Sequence, residues 1–235
     1  QEVKKEREMY KQHRERSAKD EECISLIVDG MDQKKSYVPG ANGQRNSDGT
    51  QPRLQTRIVG VKVHSRFESY FVLPGNVPHN SNTMLTIIAL TLGKIVLSLA
   101  RGKGIKCVYI QMDNTCAHNK NKITLVFMQM LVSCGITAEL ELCFLPVGHT
   151  HEDIDHAFSR IAFCLKHRPA HAFCQLASRI SESFKSDRTV NVQILHCTQI
   201  LDWMRFLNKQ FDDVALAGIS ELHAFRFCHT LDESG

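Results

Sequence analysis

The stretch CVYIQMDNTCAHNKNK, residues 107–122, decides the predicted fold. Its first six residues are mostly apolar and lead to Asp113, a pattern that is typical of a buried parallel strand ending in an acid. The carboxyl ends of such strands form the sheet edge where α/β proteins bind ligands. Asn119 or Asn121 can cap the helix that follows. The stretch therefore predicts a carboxylate at the mouth of a rigid strand–helix unit.

The 235-residue chain has an ordinary globular composition, with 43% apolar residues and a net charge of +4. This length allows a sizeable buried core. The longest apolar region, Met84–Leu99, is shorter than a membrane span and contains Lys94, so we expect a core helix of a soluble protein and no membrane partner. Nine widely spaced cysteines predict neither a disulfide framework nor a zinc site. We expect them to be reduced and mostly buried, in an intracellular protein.

Upstream of residue 107, the pattern alternates between apolar runs and a long polar loop. Residues 1–22 balance seven basic against seven acidic residues, which predicts a charged helical lead-in. Cys23–Val28 is a second apolar run that ends in an acid, Asp29. Residues 33–56 form a long basic loop, and two strands within residues 57–73 form a hairpin. Because the chain opens with Gln, we expect it to be a segment of a longer protein.

Downstream of residue 135, the chain continues with a strand, Ala138–Leu145, and then the string GHTHEDIDH at residues 148–156. This string predicts the start of a helix with three acids in its first turns. The helix dipole favours anions there, so any single acid has a purely structural explanation. Residues 169–235 predict a mainly helical C-terminal extension, in which Val190–Leu195 and His223–Phe227 are candidate strands.

The order of elements predicts a fold class. Three strands followed by helix, strand, helix, strand and helix (β-β-β-α-β-α-β-α) is the order of the ribonuclease-H-like fold. We therefore predict an α/β domain over residues 23–168, with a mixed five-stranded sheet and helices on both faces. The first and fourth strands lie side by side in that fold, so Asp29 and Asp113 would be neighbours. Acids grouped in this way suit Mg²⁺, which prefers oxygen ligands and can serve in pairs at a phosphodiester.

Three sequence blocks carry a family resemblance: Asp29-Gly-Met-Asp-Gln33, Asp113-Asn-Thr-Cys-Ala-His-Asn-Lys-Asn121 and Gly148-His-Thr-His-Glu-Asp-Ile-Asp155. They resemble the signature blocks of a eukaryotic family of uncharacterised, transposon-associated domains with a ribonuclease-H-like, integrase-type core. The resemblance covers about residues 23–165. The end of the third block is also similar to the surroundings of the third acid in mariner-type transposases, where Glu is commoner than Asp.

The resemblance implies a DNA-acting enzyme of the transposase or integrase type. Asp29, Asp113 and Asp155 would be the catalytic acids and would hold Mg²⁺ or Mn²⁺ for phosphodiester hydrolysis or strand transfer. We expect these acids to act as metal ligands rather than general bases, because the sequence shows no hydrophobic pocket that would raise their pKa. The expected location is nuclear, and a homo-oligomer is compatible with this function.

Other polar residues are candidates for supporting roles. Alternates or outer-shell partners of the metal are Asp32, Asn114, His149, His151, Glu152 and Asp153. A local excess of positive charge suits a phosphate backbone. The predicted nucleic-acid-binding residues are Lys34, Lys35, Arg45, Arg53, Arg57, Lys120 and Lys122.

Three alternatives to the transposase-like enzyme stay open. The chain could be a domesticated transposon-derived domain that binds nucleic acid or a protein without catalysis. The pattern His149-x-His151-x-Asp153 also resembles the opening of the metallo-β-lactamase signature, a dinuclear zinc hydrolase, although Ile154 stands where that signature has His. Finally, each acid could be only a cap or a strand-end turn former.

Overall fold

The computed structural model describes residues 2–40, 53–99, 103–114, 119–145, 152–184, 190–211, 218–219 and 221–229. Short 3-10 helices occur at Gln33–Lys35 and Cys197–Gln199. The helices and strands in these ranges are, in chain order, Glu2–Lys19 (α1), Cys23–Gly30 (β1), Thr56–Val63 (β2), Phe67–Pro74 (β3), Ser81–Ser98 (α2), Ile105–Asp113 (β4), Lys122–Ser133 (α3), Thr137–Leu145 (β5), Glu152–His167 (α4), Phe173–Glu182 (α5), Val190–Ile194 (β6), Trp203–Phe211 (α6) and Ala224–Cys228 (β7).

The strands form one mixed sheet in the order β6-β3-β2-β1-β4-β5-β7. β1 pairs in parallel with β4 and antiparallel with β2, and β4 pairs in parallel with β5. The α/β class is confirmed, but the predicted count of five strands is wrong because the sheet has seven. The two additional strands come from the region predicted as a mainly helical extension. β6 and β7 pair with the backbone groups that β3 and β5 would otherwise leave open at the edges.

Helices cover both faces of the sheet, and alternate residues of β1 face opposite cores. Leu26 and Val28 belong to the larger core, which includes residues of α2, α3 and α6. Ile27 belongs to the second core, which includes Ile154 and Phe158 of α4 and residues of α5. This alternation follows from the period of two in a strand.

Asparagine side chains cap the two helices that flank β4. Asn80 begins α2 by accepting a hydrogen bond from the Thr83 N–H at 3.3 Å. Asn121 begins α3 by accepting one from the Thr124 N–H at 3.1 Å, and its Nδ2 donates to Ser81 Oγ at 2.8 Å. Asn121 is therefore the helix cap, of the two asparagines that the sequence offered.

α2 is the only helix in the described ranges that is long and apolar enough to cross a membrane, and 56% of that stretch is buried inside the fold. Ile87, Ile88 and Ile95 on this helix are fully buried in the larger core. The helix is thus packed as a core helix, which is consistent with a soluble protein.

α1 lies against β1, β4 and β5 through polar and aromatic contacts. The His13 ring stacks on Tyr109 with 3.9 Å between centroids, and His13 Nε2 lies 3.5 Å from a Glu141 carboxylate oxygen. Arg16 donates to the Tyr109 hydroxyl at 2.6 Å. The lead-in helix, whose positive and negative charges balance, therefore packs against the domain.

The eight cysteines in the described ranges are free thiols. Only Cys23, Cys107 and Cys143 are buried, so the prediction that the cysteines are mostly buried is wrong. Four of the others are exposed because they lie at a helix cap, in a 3-10 helix, on a helix surface or in the edge strand β7.

Candidate active site

Two carboxylates meet at the ends of the central parallel strands. Val28 of β1 is in register with Met112 of β4, so the next residues along are Asp29 and Asp113. The Gly30 N–H donates to Asp29 Oδ1 at 2.7 Å, which holds the side chain near the strand end. The pairing of β1 with β4 therefore brings the first two predicted acids together, as the order of elements predicted.

A glycine allows the third acid to approach. Gly60 of β2 pairs with Asp29 across the antiparallel ladder. A Cβ atom at Gly60 would lie 3.0 Å from the Phe158 ring and 3.2 Å from Ile154 Cδ1, both on α4. These two residues flank Asp155 in sequence. Because residue 60 has no side chain, α4 packs directly on the strand beside Asp29.

The electrostatics of Asp29 indicate that Asp113 and Asp155 lie near enough to influence its carboxyl. Burial raises the pKa of Asp29 to about 7, with further increases from the charges of Asp113 and Asp155 and an opposing effect of the Gly30 N–H. Burial also raises the pKa of Asp155, against the positive charges of His156 and Lys35. Each ionised acid thus makes ionisation of Asp29 less favourable.

Amide groups complete the surroundings of the acids. A cleft of about 250 Å³ is lined by both strand-end acids together with Asp32, Arg57 and Asn119. Asn119 Nδ2 donates to the Asp113 carbonyl at 3.3 Å. Among the described residues, buried oxygens without a hydrogen-bond partner include Asp155 Oδ2, Asn114 Oδ1 and Asn119 Oδ1. Buried oxygens of this kind normally have a partner, so these three are candidates for contact with a ligand.

The acids do not form a ready-made metal cage. Within the ranges that the structure describes, no group of three or more His, Cys, Asp or Glu side chains converges closely enough to hold a metal ion. The donors are nevertheless all oxygen atoms, the type that Mg²⁺ and Mn²⁺ prefer. The residues therefore match such an ion in the chemistry of their donor atoms, and holding it would require the carboxylates to move closer.

Asp153 lies on α4 two residues before Asp155 but interacts with a different part of the molecule. Its Oδ2 lies 2.8 Å from Arg14 and 3.6 Å from His64 Nε2, and it accepts a hydrogen bond from the Tyr10 hydroxyl at 3.1 Å. The contact with His64, followed by the charges of Lys62 and Arg14, lowers the pKa of Asp153 far below its usual range. Asp153 anchors α4 to α1. Because its carboxylate already contacts Arg14, His64 and Tyr10, it is not available as the ligand that the zinc-hydrolase alternative requires.

Among the remaining alternates, Asp32 lines the carboxylate cleft but also has a local structural role. Asp32 accepts from the Lys34 N–H at 3.1 Å and caps the first 3-10 helix. Glu152 begins α4. His149 and His151 lie outside the described residues.

The predicted nucleic-acid-binding residues separate into several groups. Lys34, Lys35 and Arg53 line a second cleft, beside α4. Arg57 lines the carboxylate cleft instead and donates to the Val77 carbonyl at 3.2 Å. Lys120 is only 3% exposed, with its ammonium 5.6 Å from the centre of the Phe144 ring, so it does not contribute to an exposed basic surface. Lys122 begins α3, and Arg45 lies outside the described residues.

Sequence reasoning missed Gly60 and the partners of Asp153. Gly60 stands within the apolar run of β2, and an isolated glycine in a strand is a known sign of close approach by another element. Tyr10, Arg14 and His64 carry no local signal, because their connection to Asp153 depends on how α1 docks.

Comparison with known proteins gives a single match. No curated protein and no solved structure matches the chain. A family model described as a domain of unknown function, DUF7869, matches residues 46–234. The match includes Asp113 and Asp155 and begins after Asp29. Because it covers most of the chain, the protein belongs to this DUF7869 family of unknown function.

Proposed function

We propose that the protein is a metal-dependent nuclease or strand transferase of the transposase and integrase type, acting on DNA. The observation that carries the proposal is the placement of three acids from separate elements: Asp29 and Asp113 follow paired residues of neighbouring parallel strands, and α4, which carries Asp155, packs on β2 beside Asp29. Neighbouring acids repel each other and so lower the stability of the fold. A fold that nevertheless keeps them near one another indicates a functional site.

The sheet order supports a ribonuclease-H-like core within this proposal, and the resemblance of the three sequence blocks supports a transposon origin. The central part of the sheet is β3-β2-β1-β4-β5, with β2 antiparallel to both its neighbours and the other pairs parallel. This arrangement agrees with the order expected from the element sequence. Because DNA is the proposed substrate, the proposal includes a nuclear location.

The chain's own residues perform three tasks in this mechanism. Asp29, Asp113 and Asp155 would hold Mg²⁺ or Mn²⁺, which, when bound, activates the attacking oxygen and offsets charge on the departing one. The Asn119 amide holds the strand end through the Asp113 carbonyl. The close packing of Ile154 and Phe158 against Gly60 would hold α4, and with it Asp155, near the strand-end acids.

Asp29 requires a correction to the sequence interpretation. We expected no environment that would raise the pKa of an acid, but burial and two neighbouring acids raise the pKa of Asp29 to about 7. A bound cation would favour its ionised form.

A variant pair tests the proposed chemistry. Asp113→Asn keeps the size of the side chain and removes its charge, so we expect it to abolish Mg²⁺- or Mn²⁺-dependent cleavage or joining of DNA while the protein stays folded. Asp202→Asn, a surface position just before α6, is the matched control and should retain activity, because the Asn Oδ1 can still accept hydrogen bonds from Asn82 Nδ2 and the Arg205 N–H. An Asp113→Asn variant that cleaves like the parent contradicts the proposal, as does a parent that neither cleaves nor joins DNA with either ion.

The second candidate is a DNA-binding domain without catalysis. It is favoured by the observation that the acids of the described ranges do not converge into a ready-made metal group. It predicts unchanged DNA binding in the Asp113→Asn variant and no metal-dependent product from the parent.

A further inference from the structure

A second cleft of about 390 Å³ lies between α4 and the segment that follows β1. Its size is at the lower end of ligand clefts, which hold roughly 300 to 1,000 Å³, and it leaves room for a base with its sugar and phosphate. One wall comes from residues 34–40 and 53, and the other from α4 and the start of α5. The lining residues include Lys34, Lys35, Tyr37, Arg53, Phe163 and Lys166.

The lining of this basic cleft carries positive charge only. Lys34, Lys35, Arg53 and Lys166 contribute four basic side chains, and none of the described lining residues is acidic. The three lysines are exposed. Basic side chains gathered in a concave site attract a polyanion more strongly than the same charges spread over a flat surface.

The cleft also presents an exposed aromatic ring. Phe163 is 68% exposed although it lies on a helix whose other face is buried in the core. Its ring centre lies 4.6 Å from that of His167, one turn later on α4. Tyr37 lines the opposite wall. Aromatic rings between basic side chains are the arrangement by which proteins stack unpaired bases and hold their phosphates.

The basic cleft adjoins the carboxylates. The positive charge of Lys35 acts on Asp155, the acid that α4 supplies. Asp155 and Phe163 are two helical turns apart on α4. Asp32 and Gln33 line the carboxylate cleft and the next two residues, Lys34 and Lys35, line the basic cleft, so the two clefts are neighbours along this segment.

We propose that the basic cleft holds a single-stranded segment of nucleic acid, with a base stacked on Phe163 and its phosphates bound by Lys35 and Lys166. The inference rests on the proposed function, because it assigns the path of the substrate beside the reacting phosphodiester. A rigid duplex keeps its bases paired inside and cannot stack one on the ring. The cleft therefore selects an unpaired end or flap over continuous duplex.

The test measures binding without metal. Fluorescence anisotropy in EDTA would compare labelled oligo-dT with a blunt duplex, over a series of salt concentrations. Phe163→Ala should weaken oligo-dT binding about 5- to 100-fold, the range for loss of a stacked base, and change duplex binding little. The control is Phe206→Ala on α6, whose side chain is 48% exposed.

A charge variant tests the phosphate contacts. Lys35→Gln with Lys166→Gln should lower the slope of log affinity against log salt by about 1.4, since each phosphate contact on a single strand contributes about 0.7. Lys106→Gln with Lys209→Gln removes the same charge at the other end of β4 and on α6, and should bind like the parent.

The outcomes separate this inference from the proposed function. Unchanged oligo-dT affinity in both cleft variants overturns the inference, and so does a parent that binds polyglutamate as tightly as oligo-dT. If the cleft variants lose binding while the parent shows no metal-dependent cleavage, the cleft is supported and the catalytic proposal fails. If the parent cleaves and the cleft variants bind and cleave equally well, the cleft fails and the catalytic proposal stands.

Discussion

Replacing Asp29 by Asn tests the carboxylate cluster through stability rather than activity. Asn has nearly the same shape, and its Oδ1 can still accept the hydrogen bond from the Gly30 N–H. The substitution removes only the charge, which burial, Asp113 and Asp155 make unfavourable in the folded protein. The variant should therefore be more stable than the parent at neutral and alkaline pH.

The size of the effect follows from the pKa of Asp29, which folding raises from 3.8 to about 7. Each pKa unit corresponds to about 1.36 kcal/mol, so the shift amounts to about 4 kcal/mol. Because the folded state holds the proton more tightly, this contribution to stability is present below pH 3.8 and is lost as the pH rises to about 7. The Asn variant does not lose this stability. The difference in unfolding free energy between the variant and the parent therefore grows between pH 3.8 and about 7.

Chemical denaturation between pH 4 and pH 8 would measure the difference. We expect the variant's advantage in unfolding free energy to increase by up to about 4 kcal/mol, or on the order of 10 °C in melting temperature near pH 8. Mg²⁺ should stabilise the parent more than the variant, because a cation bound by ionised carboxylates favours the folded state. A variant that runs parallel to the parent across the whole range refutes the reasoning.

The other predictions concern packing and hydrogen bonds around the site, each measured by denaturant unfolding. Gly60→Ala should lower the unfolding free energy by about 1 to 3 kcal/mol, because its new methyl group would press on Phe158. Gly60→Ser should cost at least as much, and an unchanged midpoint for Gly60→Ala would contradict the close packing of α4. Asp153→Ala should cost about 1 to 3 kcal/mol at pH 7, with a smaller loss in strong acid, where the parental carboxylate is itself protonated. Asp153→Asn should be less stable than the parent and more stable than Asp153→Ala. If the stability lost in Asp153→Ala does not become smaller in acid, the charge of Asp153 is not the cause of that loss. Asn121→Ala should cost about 1 kcal/mol through loss of the α3 cap, and Asn121→Ser should restore most of it.

The central strands were predictable because each carries a local signal. The apolar runs that end in Asp29 and Asp113 are interpretable without knowledge of the rest of the chain, and pairing of β1 with β4 then follows from the element order. The edge strands were harder to place. β6 and β7 are five residues each and largely exposed or half-buried, so neither shows the apolar run of a central strand. Which edge a short strand joins depends on tertiary contacts.

The acids of the candidate site were predictable from the sequence, but the contacts that position them were not. Strand ends and a helix start indicated Asp29, Asp113 and Asp155, but not the burial that raises the pKa of Asp29. Spacing alone could not separate Asp153 from Asp155 either. The choice depends on which face of α4 meets α1, and the Arg14 and Tyr10 contacts of Asp153 decide it.

The pairing of β6 and β7 bears on how the protein is synthesised. Both outermost strands of the sheet lie beyond residue 189, while their partners β3 and β5 are complete by residues 74 and 145. During translation, the outer edges of these two partner strands therefore stay unpaired until residues 190–194 and 224–228 have left the ribosome. Open strands of this kind join other chains readily. A nascent chain stalled before β6 would be a substrate for chaperones, and a version cut at residue 168 should aggregate rather than fold as a smaller domain.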